Sequence, residues 1–307
     1  MPQVLVTGGA GFIGSHLVRA LLARGDQVRV LDDLSSGRAE NIAGLEVEFV
    51  LGDIRDPQVV RHTLRDCELV FHQAAMVGVP DSMVDPLGCY ASNVTGSIHV
   101  LQAAREQGVR RVVLASSAAV YGQAEGVVDE SMPTLPVSPY GASKLAMEQI
   151  AQVYARGYGL ETVCLRYFNA YGPRQSPDSP YAAVIPTFVR KMLRGEAPVI
   201  EGDGKQTRDF VYVEDLVQGN LLAAEARDAA GQVFNVAGGR RVSIVELGET
   251  LRSLLPGIPA SGHGPEREGD IRHSAADLTR AEQALGYRPR TALKEGLRKT
   301  VEWNRAA

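Results

Sequence analysis

Cysteine is scarce: the 307 residues hold three, Cys67, Cys89 and Cys164. They stand too far apart for a disulfide framework or the paired spacing of a metal site. No metal is therefore expected, and free thiols suit a reducing, cytoplasmic compartment. Long apolar runs are missing as well. No stretch reaches the ~20 consecutive apolar residues that cross a bilayer. The start, MPQVLVTGG, carries neither a basic n-region nor a cleavage motif, so no membrane association and no secretory leader are expected. Nor is either sign of charge in large excess. The 32 Lys and Arg against 36 Asp and Glu leave a net charge of −4, which argues against nucleic acid or an anionic membrane as the main partner.

What is present is ordinary for a soluble globular chain, with 45% apolar and 22% charged residues. The length allows one or two domains with a large core. Short apolar runs at Gln3–Thr7, Gln27–Leu31, Glu46–Leu51, Leu69–His72, Val112–Ala115 and Thr162–Leu165 read as strands. Helical patterns at Phe12–Arg24, Gln58–Leu64, Cys89–Gln107 and Gly141–Tyr158 separate them. Strands that are apolar throughout and alternate with helices indicate a parallel sheet covered on both faces. This is the doubly wound α/β (Rossmann) class. After Leu165 the texture turns loop-rich, as in NAYGPRQSPDSPY and LPGIPASGHGPEREGD. Phe210–Val213 and Val233–Val236 read as strands that rejoin the sheet. The expected division is therefore 1–169 plus 209–237 for a nucleotide-binding domain, and 170–208 plus 238–307 for a smaller, discontinuous α/β substrate domain.

VLVTGGAGFIGSHLV sets Gly8, Gly11 and Gly14 at the turn from the first strand into the first helix. Glycines there let the backbone turn tightly and approach a pyrophosphate, which the helix N-terminus attracts with free N–H groups. Glycines also serve ordinary turns; the strand-before, helix-after context is what favours a nucleotide. The second strand runs into Asp32-Asp33. A carboxylate there can bind an adenosine ribose and repel a 2′-phosphate, which favours NAD over NADP, although strand-end aspartates also cap plain turns. Asp53-Ile54 closes the third strand in the same way and could border the adenine.

Tyr140 and Lys144 are four residues apart in SPYGASKLAMEQ, so a helix puts them on one face. A free tyrosine is a weak base at neutral pH. A neighbouring ammonium and a cationic nicotinamide would stabilise its phenolate. Tyr140 could then take a proton from an alcohol while hydride leaves the same carbon, with Ser117 holding the oxygen. An isolated Tyr–Lys pair is more often just an exposed helix pair; the dinucleotide turn and the strand-end serine reverse that.

These elements, with the late GDGKQTRDFVYVEDL, resemble the extended short-chain dehydrogenases/reductases that act on nucleotide sugars, over essentially the whole chain. The resemblance implies NAD held by Gly8, Gly11, Phe12, Ile13, Gly14, Asp32, Asp33, Ser36, Gly37, Asp53, Ile54, Gln73, Ala74, Ala75, Asn93, Ser116, Tyr140, Lys144 and Tyr167. It implies a nucleotide sugar held by Ser117, Tyr140, Asn169, Ala183, Val184, Ile200, Arg208, Arg267, Asp270 and Ser274. It also implies homodimers joined through the helices near 89–107 and 141–157. In related 4,6-dehydratases an Asp-Glu pair follows the serine or threonine, and decarboxylating relatives keep the glutamate. Here Ala118 and Ala119 follow Ser117. Methyl groups transfer no protons, so reversible alcohol oxidation remains, which is the chemistry of a UDP-hexose 4-epimerase. Ser274 replaces a bulky tyrosine found in hexose-restricted relatives, so 2-acetamido sugars are expected to fit beside UDP-Glc and UDP-Gal. The alternatives are a nucleotide-sugar ketoreductase or dehydrogenase with net NAD(H) turnover and, less favoured, a non-catalytic NAD-binding module.

Overall fold

The computed structural model describes residues 3–176, 183–266 and 271–306. Strands β1 (Gln3–Thr7), β2 (Gln27–Asp32), β3 (Val47–Leu51), β4 (Cys67–His72), β5 (Arg111–Ser117), β6 (Gly126–Val128) and β7 (Glu161–Tyr167) fall in the first half. The second half holds β8 (Asn169–Tyr171), β9 (Val199–Glu201), β10 (Thr207–Tyr212), β11 (Gln232–Val236), β12 (Arg241–Ser243), β13 (Gly262–Gly264) and β14 (Ser274–Ala276). The α-helices are α1 (Phe12–Ala23), α2 (Pro57–Thr63), α3 (Val79–Val84), α4 (Pro86–Tyr90), α5 (Ser97–Glu106), α6 (Pro139–Tyr158), α7 (Val184–Leu193), α8 (Val213–Glu225), α9 (Ile244–Leu254), α10 (Thr279–Leu285) and α11 (Leu293–Ala306).

Seven strands form one sheet in the order β11-β7-β5-β4-β1-β2-β3, with every pairing parallel. Side chains alternate across it. Val4 and Val6 point to one face with Leu17, Leu21, Val113 and Phe234, whereas Leu5 points to the other with Leu101, Leu114 and Met147. Both faces are buried over the middle of the sheet, which is why the centres of β1, β4 and β5 are apolar at successive positions. The order reverses between β1 and β4, and the crevice at that reversal is where open α/β sheets bind ligands. The carboxyl ends of β1, β4, β5 and β7 there deliver Gly8, Gln73, Ser117 and Tyr167.

Of the two late segments expected to rejoin the sheet, only one does. Gln232–Val236 pairs with β7 and fills that edge. β10 instead lies in a separate three-stranded sheet, parallel to β8 and antiparallel to β12. Its Val211 packs into the core shared with α8, while Phe210 and Tyr212 pack into a third core with Phe188, Ile244 and Leu297. Val213 starts α8 rather than ending a strand. The expected helix at 89–107 is also interrupted, by a π-helical turn at Ala91–Gly96. Such turns gather at functional sites, and this one carries Asn93.

Candidate active site

The glycine turn is required by geometry at two points. Gly8 has φ +68°, and a Cβ on it would lie 2.7 Å from the backbone nitrogen of Ala74. A Cβ on Gly14 would lie 2.1 Å from the Gly8 carbonyl oxygen, so glycine lets the helix close onto the strand. Gly11 caps α1 with no side-chain hydrogen bond to the first turn, leaving that helix end to a ligand. A cavity of about 580 Å³ opens over it.

Sixteen of the expected cofactor residues line that cavity: Gly8, Gly11, Phe12, Ile13, Gly14, Asp32, Asp33, Ser36, Ile54, Gln73, Ala74, Ala75, Ser116, Tyr140, Lys144 and Tyr167. Asp32 is buried, at 6% exposure. Its carboxylate accepts from Ala10 N at 2.9 Å and Leu34 N at 2.8 Å, and burial pushes its carboxyl up against those bonds. It therefore braces the loop as well as lining the cavity. Three expected residues stand off the wall. Gly37 leaves room for Asp32, since a Cβ there would come within 2.9 Å of its Oδ1. Asp53 is bound by Arg55, at 2.7 Å from Nε and 2.5 Å from Nη2, and it is Ile54 and Arg55 that reach the cavity. Asn93 is buried behind the wall, holding Met76 through N–H (2.7 Å) and C=O (3.0 Å).

The candidate reacting groups, Ser117, Tyr140 and Lys144, come from β5 and α6. Ser138 caps α6 by accepting from Gly141 N at 3.1 Å, and Pro139 occupies its first turn. Tyr140 is half-buried and hydrogen-bonded by the Ser117 side chain. Ser117 Oγ in turn accepts from Ala119 N at 3.1 Å. Lys144 is buried, and its Nζ donates to Ala115 O at 2.8 Å while lying 5.9 Å from the Tyr140 ring centroid. Burial lowers the Lys144 ammonium to about 8. Burial also raises the Tyr140 phenol, with Ser117 opposing. The expected lowering by the lysine and a cationic nicotinamide concerns the cofactor-bound site; in the protein alone desolvation dominates and the ammonium donates to Ala115. One turn further along α6, Glu148 forms a buried pair with Arg166, at 2.9 and 2.7 Å, and accepts from Ser116 Oγ at 2.5 Å.

A second cavity, of about 830 Å³, adjoins the first at Gly11, Phe12, Ile13, Ser36, Val77, Asp81, Tyr140 and Ala170. Asn169, Ala183, Val184 and Arg208 line it, as expected of substrate residues. Ile200 does not, because strand alternation turns it into the third core while Val199 and Glu201 face the cavity. Ser274 pairs with Gly126 across β14 and β6 and lines neither cavity. Arg267 and Asp270 lie outside the described residues. Among the lining residues that went unread in the sequence are the charged Asp81, Arg55 and Arg174. Arg174 follows Gly-Pro and adopts φ +68°, a signal visible only in the backbone. His72 is structural, held by Thr7 at 2.8 Å and Ser97 at 2.9 Å. Glu130 accepts from Asn235 N at 2.7 Å, away from the reacting groups.

Residues 4–237 match the NAD dependent epimerase/dehydratase family. The chain belongs to that family. A UDP-glucose 4-epimerase of Mycolicibacterium smegmatis is 42% identical over 310 residues, covering 99% of this chain and 98% of the relative. The solved UDP-N-acetylglucosamine 4-epimerase from Methanobrevibacter ruminantium M1, in complex with UDP-N-acetylmuramic acid, superposes with a TM-score of 0.95 at 40% identity, covering 99% of this chain and 98% of its own. The Thermus thermophilus UDP-glucose 4-epimerase in complex with NAD gives 0.91 at 37% identity, covering 99% of each chain. The family's cofactor is NAD, and the glycine turn, the uncapped end of α1 and Asp32 fit it. No helix among the described residues is long and apolar enough to cross a membrane, and no cluster of metal ligands occurs among them.

Proposed function

We propose that this epimerase/dehydratase family member is a UDP-sugar 4-epimerase. The observation that carries the reading is the turn after Ser117. Ala118–Tyr121 form a single 3₁₀ turn beginning on that serine, so its first two side chains are methyl groups. The β5 end thus offers no acid for a second chemical step. Tyr140 takes the proton from the sugar's O4 and later returns it. Ser117 orients that oxygen, and Lys144 supplies positive charge beneath the phenol. NAD held at the glycine turn would supply the hydride acceptor and donor for C4. The 4-keto sugar turns over between the two transfers, so the chain grips the nucleotide and leaves the sugar loose.

Arg208 and Asn169 line the second cavity, where a charge-assisted bond suits a diphosphate. Arg267 and Asp270 are assigned from sequence to the diphosphate and the ribose. The substrates are UDP-Glc and UDP-Gal, with UDP-GlcNAc and UDP-GalNAc added on the resemblance at Ser274 alone, since that residue lines neither cavity. A homodimer through α5 and α6 is part of the reading, supported by the exposed Ile98, Val153 and Tyr158 on those helices.

The test is the NADH absorbance during turnover of UDP-Gal. Conversion without stoichiometric NADH change supports epimerisation. Stoichiometric change means a net ketoreductase or dehydrogenase. The substrate range is tested with Ser274→Tyr: an unchanged ratio of acetamido-sugar to hexose turnover removes residue 274 as its cause.

A further inference from the structure

Behind the cofactor cavity three side chains from distant parts of the chain meet: Gln73 after β4, Tyr167 at the end of β7, and Asn220 in α8. Asn220 is completely buried and does not itself line the cavity. A buried amide has to find partners for both its ends, and here its polarity is set by the helix. Its Nδ2 donates to the Leu216 carbonyl oxygen at 2.9 Å, an acceptor that admits only a donor. Its Oδ1 must therefore face the other way, where it accepts from Gln73 Nε2 at 3.1 Å and from the Tyr167 hydroxyl at 2.9 Å.

That arrangement decides which end of Gln73 is committed. Tyr167 also lies 3.3 Å from Gln73 Oε1, but it has one proton, and the shorter contact is to Asn220. Burial raises the Tyr167 phenol, so it stays a donor across working pH. Gln73 Nε2 is thus held inward. Its Oε1 remains as an acceptor on a half-buried residue of the cavity wall. Gln73 is flanked in the sheet by the ends of β1 and β5, and so sits between the glycine turn and Ser117.

We infer that Asn220 is a positioning residue for NAD, acting through Gln73, whose Oε1 it frees to accept an N–H or O–H donor of the nicotinamide riboside. The inference rests on the family's NAD dependence and not on the epimerase reading. A wall that had lost this orientation could present the Gln73 amide either way round, and the cofactor would meet a donor as often as an acceptor.

The experiment measures NAD release from the purified holoprotein, by chromatography of the bound and free cofactor after dialysis. Wild type, Asn220→Leu, Gln73→Met and the double variant are compared, each with a thermal unfolding curve. Each single change is expected to speed release about tenfold, as for loss of one good hydrogen bond. The double variant should release NAD no faster than Gln73→Met alone, because the second change acts only through the first. A double variant whose effect is the product of the two singles overturns the inference. Gln73→Met changes a half-buried wall residue, so unchanged release in that variant overturns the inference even if Asn220→Leu does not fold. Release is read whether or not any sugar is epimerised, so failure of the epimerase reading leaves the result intact.

Discussion

Lys144 donates its Nζ to the carbonyl oxygen of Ala115 at 2.8 Å, which ties the catalytic helix to the strand that carries Ser117. Burial holds that ammonium at about 8, below its ordinary value. The proton is therefore lost as the pH rises through about 8, and a step that needs the charge slows above it. The pH profile of kcat/KM should fall on that limb. Lys144→Arg keeps its charge throughout and should flatten it, whatever its absolute rate; a limb unchanged by the substitution would assign it to another group.

Tyr140→Phe removes the proton acceptor and leaves the ring in place. Turnover should drop by about 10²–10⁴-fold, the usual scale for a general acid–base group. NAD should still co-purify in wild-type amount. Activity within a few-fold of wild type would mean that another group moves the proton.

Asp81 is the carboxylate that lines both cavities alongside Tyr140. Epimerisation gives it no proton to carry, so Asp81→Asn should turn over UDP-Gal within about threefold of wild type. An elimination mechanism would use it as an acid, and its loss would then cost about 10²-fold or more. A rate assay with product identification separates the two.

Asp32 both faces the cavity and satisfies two backbone N–H groups. Asp32→Ala should therefore weaken NAD retention by about tenfold or more and also lower stability by about 1–3 kcal/mol, the cost of stranding buried donors. Paired release and denaturation measurements check it. Loss of one without the other would show that the loop and the cofactor are held separately.

Much of this was legible in the sequence, and the exceptions have definite causes. Gln3–Thr7 is as long in the structure as its apolar run suggests, because strands buried on both faces announce themselves residue by residue. The glycine turn is equally readable, since only glycine fits at Gly8 and Gly14. β10 is different. Its apolar pattern specifies burial on both sides, and a strand wedged between two cores satisfies that as well as one in the main sheet. Ile200 shows the same limit: a family position can lie in a cavity-lining strand while its own side chain turns inward. α3 runs only from Val79 to Val84, too short to register as a periodic pattern, and Asp81 was missed with it.

The buried pair of Glu148 and Arg166, exposed by 2% and 5%, lies under the reacting groups. Removing one partner leaves the other charge unpaired, so Glu148→Gln should cost about 3–5 kcal/mol. Thermal or denaturant unfolding reads the loss. A change under about 1 kcal/mol would show that water reaches Arg166.

The measurement that meets the central claim most directly is an end-point assay with UDP-Gal and, separately, UDP-GalNAc, adding no NAD and resolving the product epimers. Conversion of UDP-Gal to UDP-Glc by the holoprotein alone is the expected result, with the acetamido sugar converted as well. A holoprotein shown to carry NAD that converts neither sugar, or that yields a dehydrated or decarboxylated product instead, would contradict the account.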